Sequence, residues 1–128
     1  MKTIERGYLQ LDTDEGKKWM HFSRTSLTQL QKLSGDDIVS FGEKLTMKNM
    51  TPERQFDIMA VLCHAGLIAY DLEEDNEIDY NEYKVANWVY EAAQEEEFGL
   101  DLVKAFMLSL PVGKKQKGQV KKALSDLT

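Results

Sequence analysis

The sequence predicts an α+β fold, mainly α, in which an N-terminal β-hairpin packs on a bundle of about four to five helices. Three observations carry that expectation. Residues 7–23 hold two short runs of strand-forming residues around a turn. From Leu27 to Leu110 the apolar residues recur at helical spacing. Helix start and stop residues stand where those patterns begin and end: Gly35, Thr51-Pro52-Glu53 and Pro111.

In the hairpin, Tyr8, Leu9 and Leu11 lead into Asp12-Thr13-Asp14-Glu15-Gly16, whose residues tolerate turn dihedrals. Lys17 to Phe22 follow. By the two-residue period of a strand, Trp19 and His21 share one face, and Met20 and Phe22 share the other. Both faces carry apolar groups, so the pattern leaves open which meets the helices. A lone hairpin is marginal in water, so it packs on the helices or joins another chain's sheet.

Next, Leu27, Leu30 and Leu33 are spaced by three, with Gly35 as a C-terminal cap. Asp36-Asp37 can start a second short helix, with Ile38, Phe41 and Leu45 on one side and Gly42 weakening it. Met47 to Met50 reads as a connector. A long helix then starts at Thr51, where a hydroxyl cap, Pro at the first position and Glu53 near the positive dipole end coincide. Phe56, Met59, Val61, Leu62, Ala65 and Ile68 make it apolar nearly all round, which predicts the best-buried helix of the chain. After an acidic loop, Val85, Trp88, Val89 and Ala92 fall at i, i+3, i+4 and i+7 and give the next helix one apolar face. The last helix, Phe98 to Leu110, carries Leu102, Val103, Phe106, Met107 and Leu110 and stops at Pro111.

The domain reading is therefore one domain over residues 1–111 and a lysine-rich tail over 112–128. The tail holds Lys114, Lys115, Lys117, Lys121 and Lys122, with Val120, Ala123, Leu124 and Leu127 at helical spacing. Two readings of it stand: a solvated, frayed end, or a basic amphipathic segment that orders on an acidic partner.

Composition narrows the function classes. A chain of 128 residues fits one compact domain, and a net charge of -6 speaks against general nucleic-acid binding, which needs clustered Lys and Arg. No apolar run reaches the roughly 18 residues of a membrane span, and MKTIERGYLQ has no signal-peptide core. The single cysteine, Cys63, cannot form an internal disulfide and reads as a small buried hydrophobe, consistent with a reducing cytoplasm.

The acidic loop carries the one metal-like spacing. Asp71, Glu73, Asp75, Glu77 (through its carbonyl), Asp79 and Glu82 occupy loop positions 1, 3, 5, 7, 9 and 12 of a calcium-binding helix–loop–helix, with Ile78 at position 8. Position 6 is Asn76 rather than Gly, position 3 is the longer Glu73, and no second loop stands ready to pair with it. The alternative is a solvated acidic turn. Cys63 and His64 are neighbours in sequence but about 100° apart on a helix, so they do not form a thiol–imidazole pair. No phosphate loop, nucleophile elbow or dinucleotide glycine pattern is present, and the expectation is a protein without catalytic residues or cofactor. Phe56, Met59, Phe106 and Met107 are the candidate partner-binding residues, since Met-bearing helix faces can form adaptable grooves for a partner helix.

The order of these features, over residues 7 to 111, is similar to that of the tail assembly chaperones of long-tailed bacteriophages and prophages. The residues that carry the resemblance are the aromatic strand WMHFS, then SLTQLQKLSGDDI, TPERQFDIM leading into HAGLIAY, the acidic turn into EIDYNEYKVANWVYE, and a closing LSLP. The resemblance implies a non-enzymatic chaperone of the host bacterial cytoplasm. Such proteins coat the helical tape-measure protein, recruit tail-tube protein, and are shed before the virion matures. It attaches no calcium role to the loop from Asp71 to Glu82. A calcium-binding protein and an unassigned cytoplasmic interaction module are the rival expectations. Self-association, with the hairpin edge as a contact, is a further one.

Overall fold

The computed structural model describes residues 2–35, 37, 40–41 and 51–109. A 3-10 turn, Ile4–Arg6, precedes an antiparallel hairpin of β1 (Tyr8–Thr13) and β2 (Gly16–His21). Four α-helices follow among the described residues: α1 (Arg24–Ser34), α2 (Pro52–Glu73), α3 (Glu82–Ala92) and α4 (Glu96–Ser109). This is the α+β, mainly α arrangement that the sequence predicts. Of the second short helix, only Ser40 and Phe41 are described; both are helical, and the Asp37 carboxylate caps the turn by accepting from the Ser40 amide at 2.7 Å. The remainder of that helix, the connector at Met47–Met50, Leu110, Pro111 and the tail lie outside the described residues.

The hairpin turn is tighter than Asp12–Gly16. Thr13 pairs with Gly16, leaving Asp14 and Glu15 between the strands. Neither takes a positive φ, whereas Gly16 sits at φ 109°, which fits a type I turn followed by a glycine bulge. The Thr13 hydroxyl braces it, donating to the Gly16 carbonyl at 2.6 Å and accepting from the Glu15 amide at 3.1 Å.

The ambiguity between the two hairpin faces is resolved. Leu9, Leu11, Met20 and Phe22 are buried, and Tyr8, Trp19 and His21 form the outer face. That outer face is itself an aromatic row. Tyr8 stacks on its cross-strand partner His21 at 3.9 Å between ring centroids and meets Trp19 edge-on at 6.2 Å.

Helix α2 is the spine. It packs against α1, β2, α3 and α4, and its ends follow local chemistry. The Thr51 hydroxyl accepts from the Arg54 amide at 3.3 Å, and Pro52 occupies the first turn. Its buried stripe is Ile58, Leu62, Cys63, Ala65, Gly66, Leu67 and Ala69. Gly66 lies where the hairpin crosses: a Cβ there would meet Phe22 Cε1 at 2.9 Å and the Met20 Cβ at 3.0 Å. The expectation that no apolar stretch reaches the length of a membrane span is corrected: at 22 residues, α2 is long and apolar enough, by length and composition, to cross a bilayer. In this fold it instead serves as the core helix.

Short helices flank it. Ser23 and Ser26 form a capping box at the start of α1, and Gly35, at φ 75°, ends it by donating to the Gln31 carbonyl. Asn81 caps α3 by accepting from the Lys84 amide at 2.9 Å. The last described helix, α4, closes onto the 3-10 turn and β1, which joins the two ends of the described fold. Phe106 stands at the centre of that closure, edge-on to Phe22 at 6.4 Å and to Phe41 at 5.9 Å.

Candidate functional site

An open groove lies between α2 and α3, with Leu33 of α1 also in its lining. Its volume is about 400 Å³. From α2 come Phe56, Ala60, Val61 and His64, one stripe at i, i+4, i+5 and i+8; from α3 come Glu82, Tyr83 and Ala86. The two alanines lack long side chains, so the helix backbones are accessible between larger neighbours. Phe56 leans edge-on against Tyr90 at 5.9 Å. Tyr83, 74% exposed, and Tyr90, 59% exposed, leave large aromatic surface in water beside the groove. Asp57 and Glu82 stand on its rim, and neither has an ion-pair partner among the described residues.

His64 is half-buried in the groove wall and meets Tyr80 edge-on at 6.0 Å. Burial holds its imidazole below the usual histidine range, and the Glu82 carboxylate opposes that shift in part. One position back, Cys63 faces the core, fully enclosed, with its thiol pushed up by burial. The two side chains serve different environments, as the helical offset requires.

A second open cleft, about 570 Å³, lies between the hairpin turn and α3. Trp88 forms part of its wall and donates through Nε1 to Asp14 Oδ1 at 2.9 Å. The Lys84 ammonium bonds Glu15 at 2.9 Å and sits 5.6 Å from the Trp88 ring centre; the Lys18 ammonium approaches that ring at 5.3 Å. These polar groups pair with one another and tie the turn to α3.

The carboxylates with calcium-loop spacing are distributed rather than gathered. Helix α2 runs on to Glu73, so Asp71 and Glu73 project from its last turn. Asp71 accepts from the Tyr80 hydroxyl at 2.6 Å and from the Asn76 amide at 3.2 Å. Burial, then Asp71, pushes the Tyr80 phenol up. Glu73 turns to the hairpin, 2.6 Å from His21 Nδ1 and 3.1 Å from the donating Ser23 hydroxyl. Asp75, at φ 58°, makes the reversal that the loop template gives to position 6. Glu77 and Asp79 are exposed, and Glu82 begins α3 at the groove rim. Among the described residues no three His, Cys, Asp or Glu side chains converge on a metal-sized space.

The four candidate partner-binding residues do not share a surface. Phe56 lines the groove. Met59 is half-buried with its methyl toward Gly99 of α4, and Met107 is half-buried against the core. Phe106 is corrected to a core residue, fully enclosed between Phe22 and Phe41. Tyr83, Ala86, Val61 and Leu33 complete the groove, yet their spacing alone does not single them out, because the groove joins three helices. No protein-family model, curated protein or solved structure matches this chain.

Proposed function

We propose that the protein is a non-enzymatic phage tail assembly chaperone whose α2–α3 groove takes an apolar stripe of a helical tape-measure protein. One observation carries the reading: an open groove walled by two helices, with alanines between aromatic neighbours and carboxylates on its rim. Such a groove suits an amphipathic helix laid lengthwise, whose anchors recur every three to four residues. Long apolar helical stripes aggregate unless covered, and an open, shallow site covers them without locking them in place. Release as tail-tube protein polymerises then needs only modest competing affinity. The sequence order that resembles the chaperone family, from WMHFS to LSLP, supplies the identity of the client.

The test is co-expression with a tape-measure protein, which this reading expects to be the long, coiled-coil-rich reading frame near this gene. The expected outcome is a larger soluble fraction of tape measure and a co-purifying complex. Ala86→Glu, which fills the groove with a charge at a half-buried surface position, abolishes both while leaving the chaperone's own melt within a few degrees. An insoluble tape measure with no complex overturns the reading.

A further inference from the structure

We infer that the α2–α3 groove is also the docking site of this chain's own lysine-rich segment, residues 118–128, which a client helix must displace. The inference shares the groove with the reading above but not its client. It rests on three observations.

The first is charge. Residues 118–128 hold Lys121 and Lys122 against one acid, Asp126, and the stretch that leads into them adds Lys114, Lys115 and Lys117. The groove this segment would meet carries Asp57 and Glu82, neither in an ion pair among the described residues. The second is pattern. Val120, Ala123, Leu124 and Leu127 fall at i, i+3, i+4 and i+7, one apolar face of a helix, with Lys121 and Lys122 flanking it. An apolar stripe edged by ammonium groups is the complement of an apolar floor edged by carboxylates.

The third is reach. Phe106 of α4 touches Phe22, which precedes α1. Helix α1, eleven residues long and so about 16 Å, ends beside Leu33 in the groove lining. The stretch from Ser109 to Gly118 spans about 30 Å when extended, enough to cover that path.

A tethered segment needs little intrinsic affinity, because a short linker holds it at an effective concentration on the order of millimolar. The tail thereby shields the groove when no client is present and sets a threshold affinity for any helix that displaces it.

The test uses the full chain carrying Ser125→Cys with a nitroxide on the new thiol; Cys63, enclosed and with its thiol pushed up, stays unlabelled. Amide signals of Ala60, Val61 and Ala86 are expected to lose at least about half their intensity relative to the hairpin, and to recover in Lys121→Glu/Lys122→Glu. Groove signals no more broadened than the hairpin overturn the inference. So does broadening seen only when spin-labelled and isotope-labelled molecules are mixed, which gives the groove to a second copy. Failure of the tape-measure co-expression leaves this readout unchanged, and failure here leaves that one unchanged.

Discussion

Two side chains show how single contacts govern this molecule. The Trp88 indole is almost fully buried and gives its one hydrogen to Asp14 at the hairpin turn. Asp14→Ala leaves that donor without a protein partner, so a loss of about 1–2 kcal/mol is expected in urea unfolding; Asp14→Asn, which keeps an acceptor, recovers most of it. His64 acts through the proton it refuses. Its folded pKa lies below the ordinary value of 6.5 because burial penalises the cation. Below that ordinary value the unfolded chain therefore takes up the proton more readily than the folded one, and stability falls as pH drops through it. His64→Leu is expected to flatten this part of the melting-temperature profile between about pH 7 and 5, measured by circular dichroism. The side-chain bonds that tie the hairpin to the helices were not legible from spacing. Asp14 and Trp88 are 74 positions apart and His21 and Glu73 are 52 apart, and a single sequence has no local signal for contacts of that range.

At the scale of elements, capped helix ends and the apolar face of α3 (Val85, Trp88 and Val89) were readable, whereas the faces of the hairpin and of α2 were not. Thr51-Pro52 and Gly35 set helix ends through their own backbone chemistry, and those ends lie where expected. The hairpin has apolar groups on both sides, and α2 is apolar nearly all round, so periodicity could not choose which stripe to bury. The choice is made by shape. Gly66 offers the one flat place where Met20 and Phe22 can cross α2, and the buried stripe of that helix follows from it. Gly66→Ala tests this. Helix propensity favours the change by up to about 1 kcal/mol, but the new methyl meets two core side chains at about van der Waals overlap, which costs about 1–3 kcal/mol. Net destabilisation is the expected outcome in denaturant unfolding. A stabilised variant would mean that the hairpin rides higher on α2.

At the scale of the whole molecule, the acidic loop and the groove exchange importance. Asp71 and Glu73 support the fold through Tyr80, Asn76, His21 and Ser23, so binding calcium would require breaking those contacts. Identical thermal melts in millimolar calcium and in chelator are therefore expected, along with no binding heat. A melting temperature raised by calcium and unmoved by it in Glu82→Ala would instead show a functioning site. The groove, by contrast, joins three elements and emerges only from their packing; of the four candidate partner-binding residues, Phe56 alone lines it.

The closure of α4 onto the 3-10 turn and β1 has a consequence for biosynthesis. Ile4–Arg6 leaves the ribosome before its packing partner, Glu96–Ser109, which is separated from it by roughly a hundred codons. At about 5–20 residues per second, the nascent hairpin waits some 5–20 s for that partner. During the wait Phe22 lacks Phe106, and the apolar side of α2 lacks its last cover. In that interval the apolar side of the hairpin and of α2 lies open to water, and translation speed through α4 sets how long it stays so.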